Sequence, residues 1–547
     1  MVERWLTMSN GNYPYFAYYG NQQYQNYPQY VHERQTVRPL ASYQPYGSLF
    51  SQFRPIRPST QDQLIVPRGY QYDIVASWGD ELGNGERFGF NNDFTCYFSG
   101  NPNEGLLWVN HEYIGNLSMY VSGYREEQGR RTREQIEIEK YNVGGSVIHI
   151  RKTRDGNWRI VKGSRYNRRI TANTPIDLTG PAKGDPAVGG VSTVIGTFAN
   201  CSGGKTLWNT VFSCEENYMD MIEDWSTAEQ ERKPEQEATD TTELNATHYG
   251  WVVEIDPYNP ASTPKKHTFL GRFAHENAVM TLGRSGHVVV YTGDDANDRC
   301  VYKFVSDDVY RPELGKKNSR LLEKGTLYVA DMGANEWRPL DINKDPKLRE
   351  KYQTQGELLV NTRDAAKLVG GTPLDRPEDI EIHPRDGSIY IALTNNLEHG
   401  NYYGQIYRLV EDNNDSESTS FMYEIFVSGG PQSGFACPDN MMFDQAGNLW
   451  VTTDISSDKL NEGVYEPFGN NGFFMIPTEG PNRGKAMQFA SAPVEAELTG
   501  PWLAPDGMTL FLSVQHPGEE TEDPNNPHSR WPYGDIPRPS VVAISRV

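Results

Sequence analysis

Gly447-Asn448-Leu449-Trp450-Val451-Thr452-Thr453-Asp454 is a glycine turn that launches a short apolar strand and ends it on a carboxylate. The same design recurs along the chain. It appears as Gly105-Leu106-Leu107-Trp108-Val109-Asn110-His111-Glu112 and as Gly204 running to Val211-Phe212-Ser213-Cys214-Glu215-Glu216. It appears again as Gly286-His287-Val288-Val289-Val290-Tyr291-Thr292-Gly293-Asp294-Asp295 and as Gly387-Ser388-Ile389-Tyr390-Ile391-Ala392-Leu393-Thr394-Asn395-Asn396. Gly507-Met508-Thr509-Leu510-Phe511-Leu512-Ser513-Val514-Gln515-His516 is the last. A hairpin repeated in this way is the mark of a radial all-β architecture, most simply a six-bladed β-propeller. If the strand ends converge on one axis, so do Glu112, Cys214, Asp294 and Asp454, and that convergence would form a metal site.

In an antiparallel hairpin, the start of the first strand and the end of the second share one end. The first strands open with Ala274-His275-Glu276-Asn277, Arg376-Pro377-Glu378-Asp379, Cys437-Pro438-Asp439-Asn440 and Thr499-Gly500-Pro501-Trp502. Each hairpin is therefore expected to bring two polar groups to one rim, at the mouth of a central channel. Strand ends are polar by default, which accounts for one or two units. It accounts less well for Glu and Asp recurring at one place, with a cysteine among them.

Around these units lie three charged insertions, Arg125 to Lys140, Glu216 to Glu243 and Asp341 to Leu368, read as solvated helical or loop excursions. Pro517 to Pro539 is a long loop. The first sixty residues form a Tyr/Gln/Asn-rich low-complexity extension, set apart from a propeller over 61–547. Such a tail is a candidate for self-association. The chain carries a formal charge of −21, which argues against a nucleic-acid backbone as partner and fits divalent cations. Five widely spaced cysteines suggest no disulfide framework. No apolar run approaches the roughly 20 residues of a membrane span.

Carboxylates suit calcium or magnesium, whereas a thiolate suits iron, zinc or copper. Cys214 beside two glutamates thus hints at a mixed centre. His111, His275 and His516 fall at proposed rim positions, as ligand supports or as packed residues. Arg376 is suited to an anion by its bidentate fork, or to a structural ion pair. Gly203-Gly204-Lys205-Thr206 is not a phosphate loop, since Ala199 stands where the upstream glycine belongs.

At these residues the chain resembles the PhoX-type alkaline phosphatases. The matching segments are Gly105 to Tyr113, Ser213 to Tyr218, His275-Glu276, Tyr291 to Asp295, Val301 to Ser306, Arg376 to Glu378 and Leu393 to Asn396. Pro438-Asp439, Thr453-Asp454, Leu498 to Gly500 and Gln515 to Gly518 follow in order. The resemblance implies a six-bladed propeller with an iron and calcium cluster at the channel mouth, hydrolysing phosphate monoesters. It implies Cys214 as the iron thiolate and Glu215, Glu276, Asp294 or Asp295, Glu378 and Asp454 as carboxylate ligands. It implies Asn110 and Arg376 as the groups that hold the phosphate oxygens of a small phosphorylated substrate.

Two departures bear on this expectation. The family pattern carries a tryptophan after Arg-Pro-Glu, where this chain has Asp379, and a carboxylate there would repel phosphate unless it turns away. The family is exported by the twin-arginine route, and Met1 to Asn10 shows no such leader. Location is left open, with a surface or coat position in view. The same features fit a second reading, a non-catalytic propeller held by calcium and acting as a surface or coat protein. A third, a lactonase-like calcium propeller, leaves Cys214 unused.

Overall fold

The strand runs read above as single hairpins each extend into a full blade. The computed structural model of the protein describes residues 50, 52–229 and 244–547. Most of the low-complexity extension, and with it any self-association, lies outside the described residues. So does the stretch 230–243 of the second charged insertion.

Six sheets form the body. Their innermost strands are Asn92–Asn101, Asn200–Lys205, Val279–Leu282, Pro377–Ile382, Pro438–Phe443 and Glu497–Leu503. Each contacts the next blade, and the sixth returns to the first, so the ring closes. Blade four shows the plain pattern: Pro377–Ile382, Ile389–Leu393, Gln405–Glu411 and Phe421–Ser428, antiparallel throughout. Blade two departs from it by recruiting Pro175–Thr179, which pairs in parallel with Lys265–His267.

Closure is made by both ends of the body. Tyr70–Ser77 is the outer strand of blade six and pairs antiparallel with Ser540–Arg546, Tyr72 opposite Ile544. A propeller closed this way leaves no edge between its first and last blades.

The strands read as near-continuous apolar runs because each is buried on both faces. Leu510, Leu512 and Val514 pack with Trp450, Phe473 and Phe489 of blade five. Phe511, between them in sequence, points the other way to Tyr97, Leu107 and Trp158 of blade one. That is the period of two of a strand, read out against two neighbours.

The first two insertions join the second strand of a blade to its third. Helix Arg133–Asn142 lies between Glu104–His111 and Gly144–Lys152, and helix Tyr218–Glu229 between Val211–Glu215 and Val252–Ile255. Since second strands end at the mouth, these insertions crown it. The third insertion, with helices Pro346–Lys351, Gln355–Val360 and Thr362–Val369, leads into the inner strand of blade four.

Candidate metal centre and phosphate site

One residue from every blade meets at the mouth. Asp93, Cys201, Glu378 and Asp439 are the second residues of their inner strands, Glu497 is the first of its own, and Glu276 lies just ahead of Val279. A local backbone device places them. Asn91, Ala199, Arg376, Cys437 and Glu495 each stand two residues before one of these groups, and each adopts a left-handed conformation, φ 51°, 54°, 55°, 52° and 54°. Non-glycine residues pay on the order of 1–2 kcal/mol for that region. A register shift follows within a few residues in blades one, two, four, five and six. Together the reversal and the bulge turn the start of each inner strand inward, a device common beside functional sites.

A second tier comes from the ends of the second strands: Glu112, Glu216, Asp295 and Asp454. Their backbone N–H groups donate to the carbonyls of Asn91, Ala199, Ala274 and Cys437, at 2.8–3.0 Å. The same hydrogen bond thus ties the two tiers in four blades. The two tiers line a cavity of about 450 Å³ that also receives Arg376, Asn217, His516 and Arg131.

Within it, ligand-type atoms crowd together in four overlapping groups, each within 4.8 Å. The groups are Asp93, Glu112 and Cys201; Cys201, Glu216 and Glu276; Glu216, Asp295 and Glu378; and Glu276, Glu378 and Asp439. None of these residues is more than 9% exposed. The thiol of Cys201 lies 3.0 Å from Glu276 Oε2. Arg376 donates Nε and Nη2 to Asp295 at 3.0 and 2.7 Å, and Nη2 also to Glu378 at 2.8 Å. Its Nη1 stays 3.8 Å from Asp454, with donors to spare.

The protein alone does not neutralise this charge. Burial, then neighbouring carboxylates, push Asp93, Glu216, Glu276 and Glu378 well above the usual carboxylate range. Burial raises Glu112 to about 7 and Asp439 to about 6, against hydrogen bonds from Gln515 and Glu497 that work the other way. Only Asp295 is lowered: burial opposes this, and the Arg376 charge together with three side-chain hydrogen bonds outweighs it. Burial and the same carboxylates raise the Cys201 thiol. Carboxylates this close and this buried are the environment in which a multivalent cation binds strongly. Four overlapping donor groups can seat more than one ion side by side. The single thiol gives one of those seats a soft character.

The residues expected from sequence divide cleanly. Glu276, Asp295, Glu378, Asp454 and Arg376 come together here, and Cys214, Glu215, Asp294 and Asn110 do not. Cys214 packs among Phe212, Val252, Phe273 and Ala278 in the core, one strand out from the ring. Glu215 accepts Lys266 Nζ at 2.7 Å and the N–H groups of Gly250 and Trp251. Asp294 is held by Arg363, whose Nε and Nη2 reach it at 2.9 and 2.5 Å. Asn110 has no capacity left for phosphate. Its Oδ1 accepts from Trp108 and Ser213, and its Nδ2 donates to the carbonyls of Cys201 and Ser202 at 2.6 and 2.9 Å. Its work is to brace the backbone of Cys201.

Asp379 turns away from the mouth. It accepts from Asn277 Nδ2 and, at 2.7 Å, from Met441 N, and faces a small hollow deeper in the channel. Of the three histidines, His111 and His275 are packed: each ring bonds a carbonyl and a hydroxyl, Phe90 and Ser146 for one, Gly271 and Thr292 for the other. His516 lines the cavity, with Nε2 3.4 Å from Glu497.

Sequence reading did not assign Asp93, Cys201, Glu216, Asp439 or Glu497 to the centre. The signal for Asp93, Cys201 and Asp439 was present as the second position of an inner strand, while Glu497 opens its strand and Glu216 follows the end of Val211–Glu215. It was hidden in blade two because Gly203-Gly204 looks like a turn.

A closed six-bladed propeller with a buried acidic centre and one thiol at its mouth defines a metal-dependent hydrolase class. The family model for alkaline phosphatase PhoX matches residues 51–518, and the chain belongs to that family. It is accordingly a metal-dependent phosphomonoesterase. Among solved structures it is similar to Pseudomonas fluorescens PhoX in complex with vanadate, a transition-state analogue. That chain is 32% identical with a TM-score of 0.77, over 90% of this chain and 98% of the other. A protein of unknown function from Dyadobacter fermentans is 10% identical with a TM-score of 0.39, over 88% of this chain and 100% of its own. A Xanthomonas campestris gluconolactonase is 9% identical with a TM-score of 0.34, over 91% of this chain and 98% of its own. No curated protein sequence matches the chain.

Proposed function

We propose that the mouth holds iron and calcium together, with Cys201 as the thiolate on the iron side. The observation that carries this reading is the set of four overlapping donor groups joined through Cys201, Glu216, Glu276 and Glu378. Asp93, Glu112 and Glu276 surround the thiol, and Glu378, Asp295 and Asp439 offer the all-oxygen side that calcium prefers. The metals, when bound, supply charge neutralisation on the phosphoryl group and an activated oxygen nucleophile.

The chain's own residues position the ester. Arg376 is fixed by Asp295 and Glu378, so its Nη1 end meets a phosphate oxygen without reorganising. Asn217 offers an amide at the rim, its Nδ2 2.8 Å from Glu216. Asn110 keeps the Cys201 backbone in place from behind. With Asp379 facing the deeper hollow, no carboxylate takes the tryptophan's place against the phosphate.

Two cysteine variants test this. Cys201→Ser is expected to lose iron and to cut phosphatase turnover at least about a hundredfold. Cys214→Ala is expected to keep both, with only a modest loss of stability. Full iron content and turnover in Cys201→Ser, measured by elemental analysis and steady-state kinetics, would sink the assignment.

A further inference from the structure

The mouth does not end at the acidic centre. Beyond Arg131 it continues into a second hollow of about 650 Å³, walled by the segment 115–131 on one side and by 520–522 on the other. Gly115, Asn116, Arg131, Asp224 and Glu520 line both spaces, so the two form one trough. Arg131 stands at the junction. Its guanidinium lies 3.0 Å from Glu139 and 3.5 Å from Asp224, and 4.1 Å above the ring of Tyr124.

The outer hollow is polar and its charge is one-sided. Its two arginines already face carboxylates, Arg131 as above and Arg125 with Glu127 at 3.8 Å. Glu126, Glu520 and Glu522 stand in the same walls, and among the described residues no cation comes within ion-pair distance of them. Arg376 and Arg131 line the same inner cavity, and the outer hollow opens from it at Arg131.

We propose that this trough is the leaving-group subsite, selecting monoesters of bulky hydrophilic alcohols that are neutral or cationic over those carrying a second anion. The inference rests on the phosphatase reading above. The volume suits an alcohol of several carbons with its hydroxyls, and the wall charge disfavours a carboxylate or a further phosphate.

The test compares kcat/KM for glycerol 3-phosphate and 3-phosphoglycerate on the metal-loaded enzyme, each relative to methyl phosphate, whose alcohol is too short for the trough. The expected preference for glycerol 3-phosphate is about tenfold at low salt, shrinking as salt screens the wall. In the double variant Glu126→Lys with Glu522→Lys the preference is expected to vanish or invert. An unchanged ratio in that variant, or a wild-type preference for 3-phosphoglycerate, would overturn the subsite. Failure to hydrolyse any of the three esters would instead overturn the phosphatase reading, and the subsite with it.

Discussion

Two sets of buried carboxylates in this molecule are treated in opposite ways. Glu254, between the strands of blade two, accepts Trp208 Nε1 and Thr210 Oγ1 on one oxygen, and His267 Nε2 and Ser319 Oγ on the other, at 2.5–2.7 Å. Glu411, in blade four, accepts Lys303 Nζ at 2.7 Å, Trp337 Nε1 at 2.9 Å and Tyr291 Oη at 2.7 Å. Every lone pair that matters has a protein donor. At the mouth, Glu276, Glu378 and Asp439 are as deeply buried, yet they face one another and a thiol. Burial alone therefore says nothing about function. The charge balance does: at the mouth Asn440 donates to Glu276 and Asp439, Thr452 to Asp439, and Arg376 to both Asp295 and Glu378, so several carboxylates share one guanidinium and the rest of their charge is left to something else.

The comparison can be broken most severely by removing that something. Exhaustive chelation is expected to abolish phosphatase activity, by at least about a thousandfold, while far-UV circular dichroism stays native. The inter-blade cores and the Glu254 and Glu411 clusters do not depend on the mouth. Unfolding on chelation would show that the cations hold the ring shut.

Next in size is the cost of unpairing an interior carboxylate. Lys303→Met leaves Glu411 buried without its cation and is expected to cost about 3–5 kcal/mol in urea unfolding. The turnover of the molecules that remain folded should be unchanged.

The pH dependence follows from Glu254. Burial raises its carboxyl, and the His267, Ser319 and Thr210 hydrogen bonds with the His267 charge outweigh this, bringing it down to about 2 from 4.5. Its contribution is full above about pH 4.5 and is lost as pH falls towards 2, since the unfolded chain binds the proton first. A shift of that size corresponds to about 3 kcal/mol. Glu254→Gln should therefore flatten the acid limb of stability between those pH values. His275 adds to the same limb: burial lowers it to about 3, so stability falls from pH 6.5 downwards as the unfolded imidazole protonates.

The smallest effect has the opposite sign. Glu276 is raised by burial and then by Asp439 and Asp93, so in metal-free protein its charge opposes folding at neutral pH. Glu276→Gln is expected to stabilise the metal-free form by about 1 kcal/mol and to weaken metal retention. Destabilisation in both forms would place Glu276 with Glu254 as a structural carboxylate.

The hairpin repeat was legible because each strand is buried on both faces and is launched by a turn. Glu276 and Glu378 were legible for the same reason, at the opening of a first strand. Blade two was not. Its glycines sit inside the inner strand, where a Cβ on Gly203 would meet the Phe212 carbonyl at 2.1 Å and one on Gly204 the Ala278 carbonyl at 2.1 Å. The turn lies later, where Thr206 N–H donates to the Thr210 carbonyl. Reading Gly204 as the turn removed Cys201 from view and left Cys214, flanked by two glutamates, as the visible thiol. Alternation along Val211–Glu215 separates Cys214, which goes to the core, from Glu215, which goes to Lys266, and Glu216, past the strand's end and tied to the Ala199 carbonyl, reaches the mouth. Asp294 and Asp295 were inseparable by sequence, since the choice depends on Arg363 and Arg376, residues 69 and 81 positions away.

Blade six is shared between Tyr70–Ser77 and the strands from Glu497 to Arg546, and it also supplies Glu497 to the ring. On a ribosome the chain emerges from its N-terminal side. Tyr70–Ser77 is made more than four hundred residues before its partner Ser540–Arg546 appears. Until then the circle of six is open and the donors from blades one and five have no sixth neighbour to hold them apart. The completed centre is thus the last thing the polypeptide makes, and a chain interrupted before residue 540 would carry most of the ligands but not the geometry that lets them act.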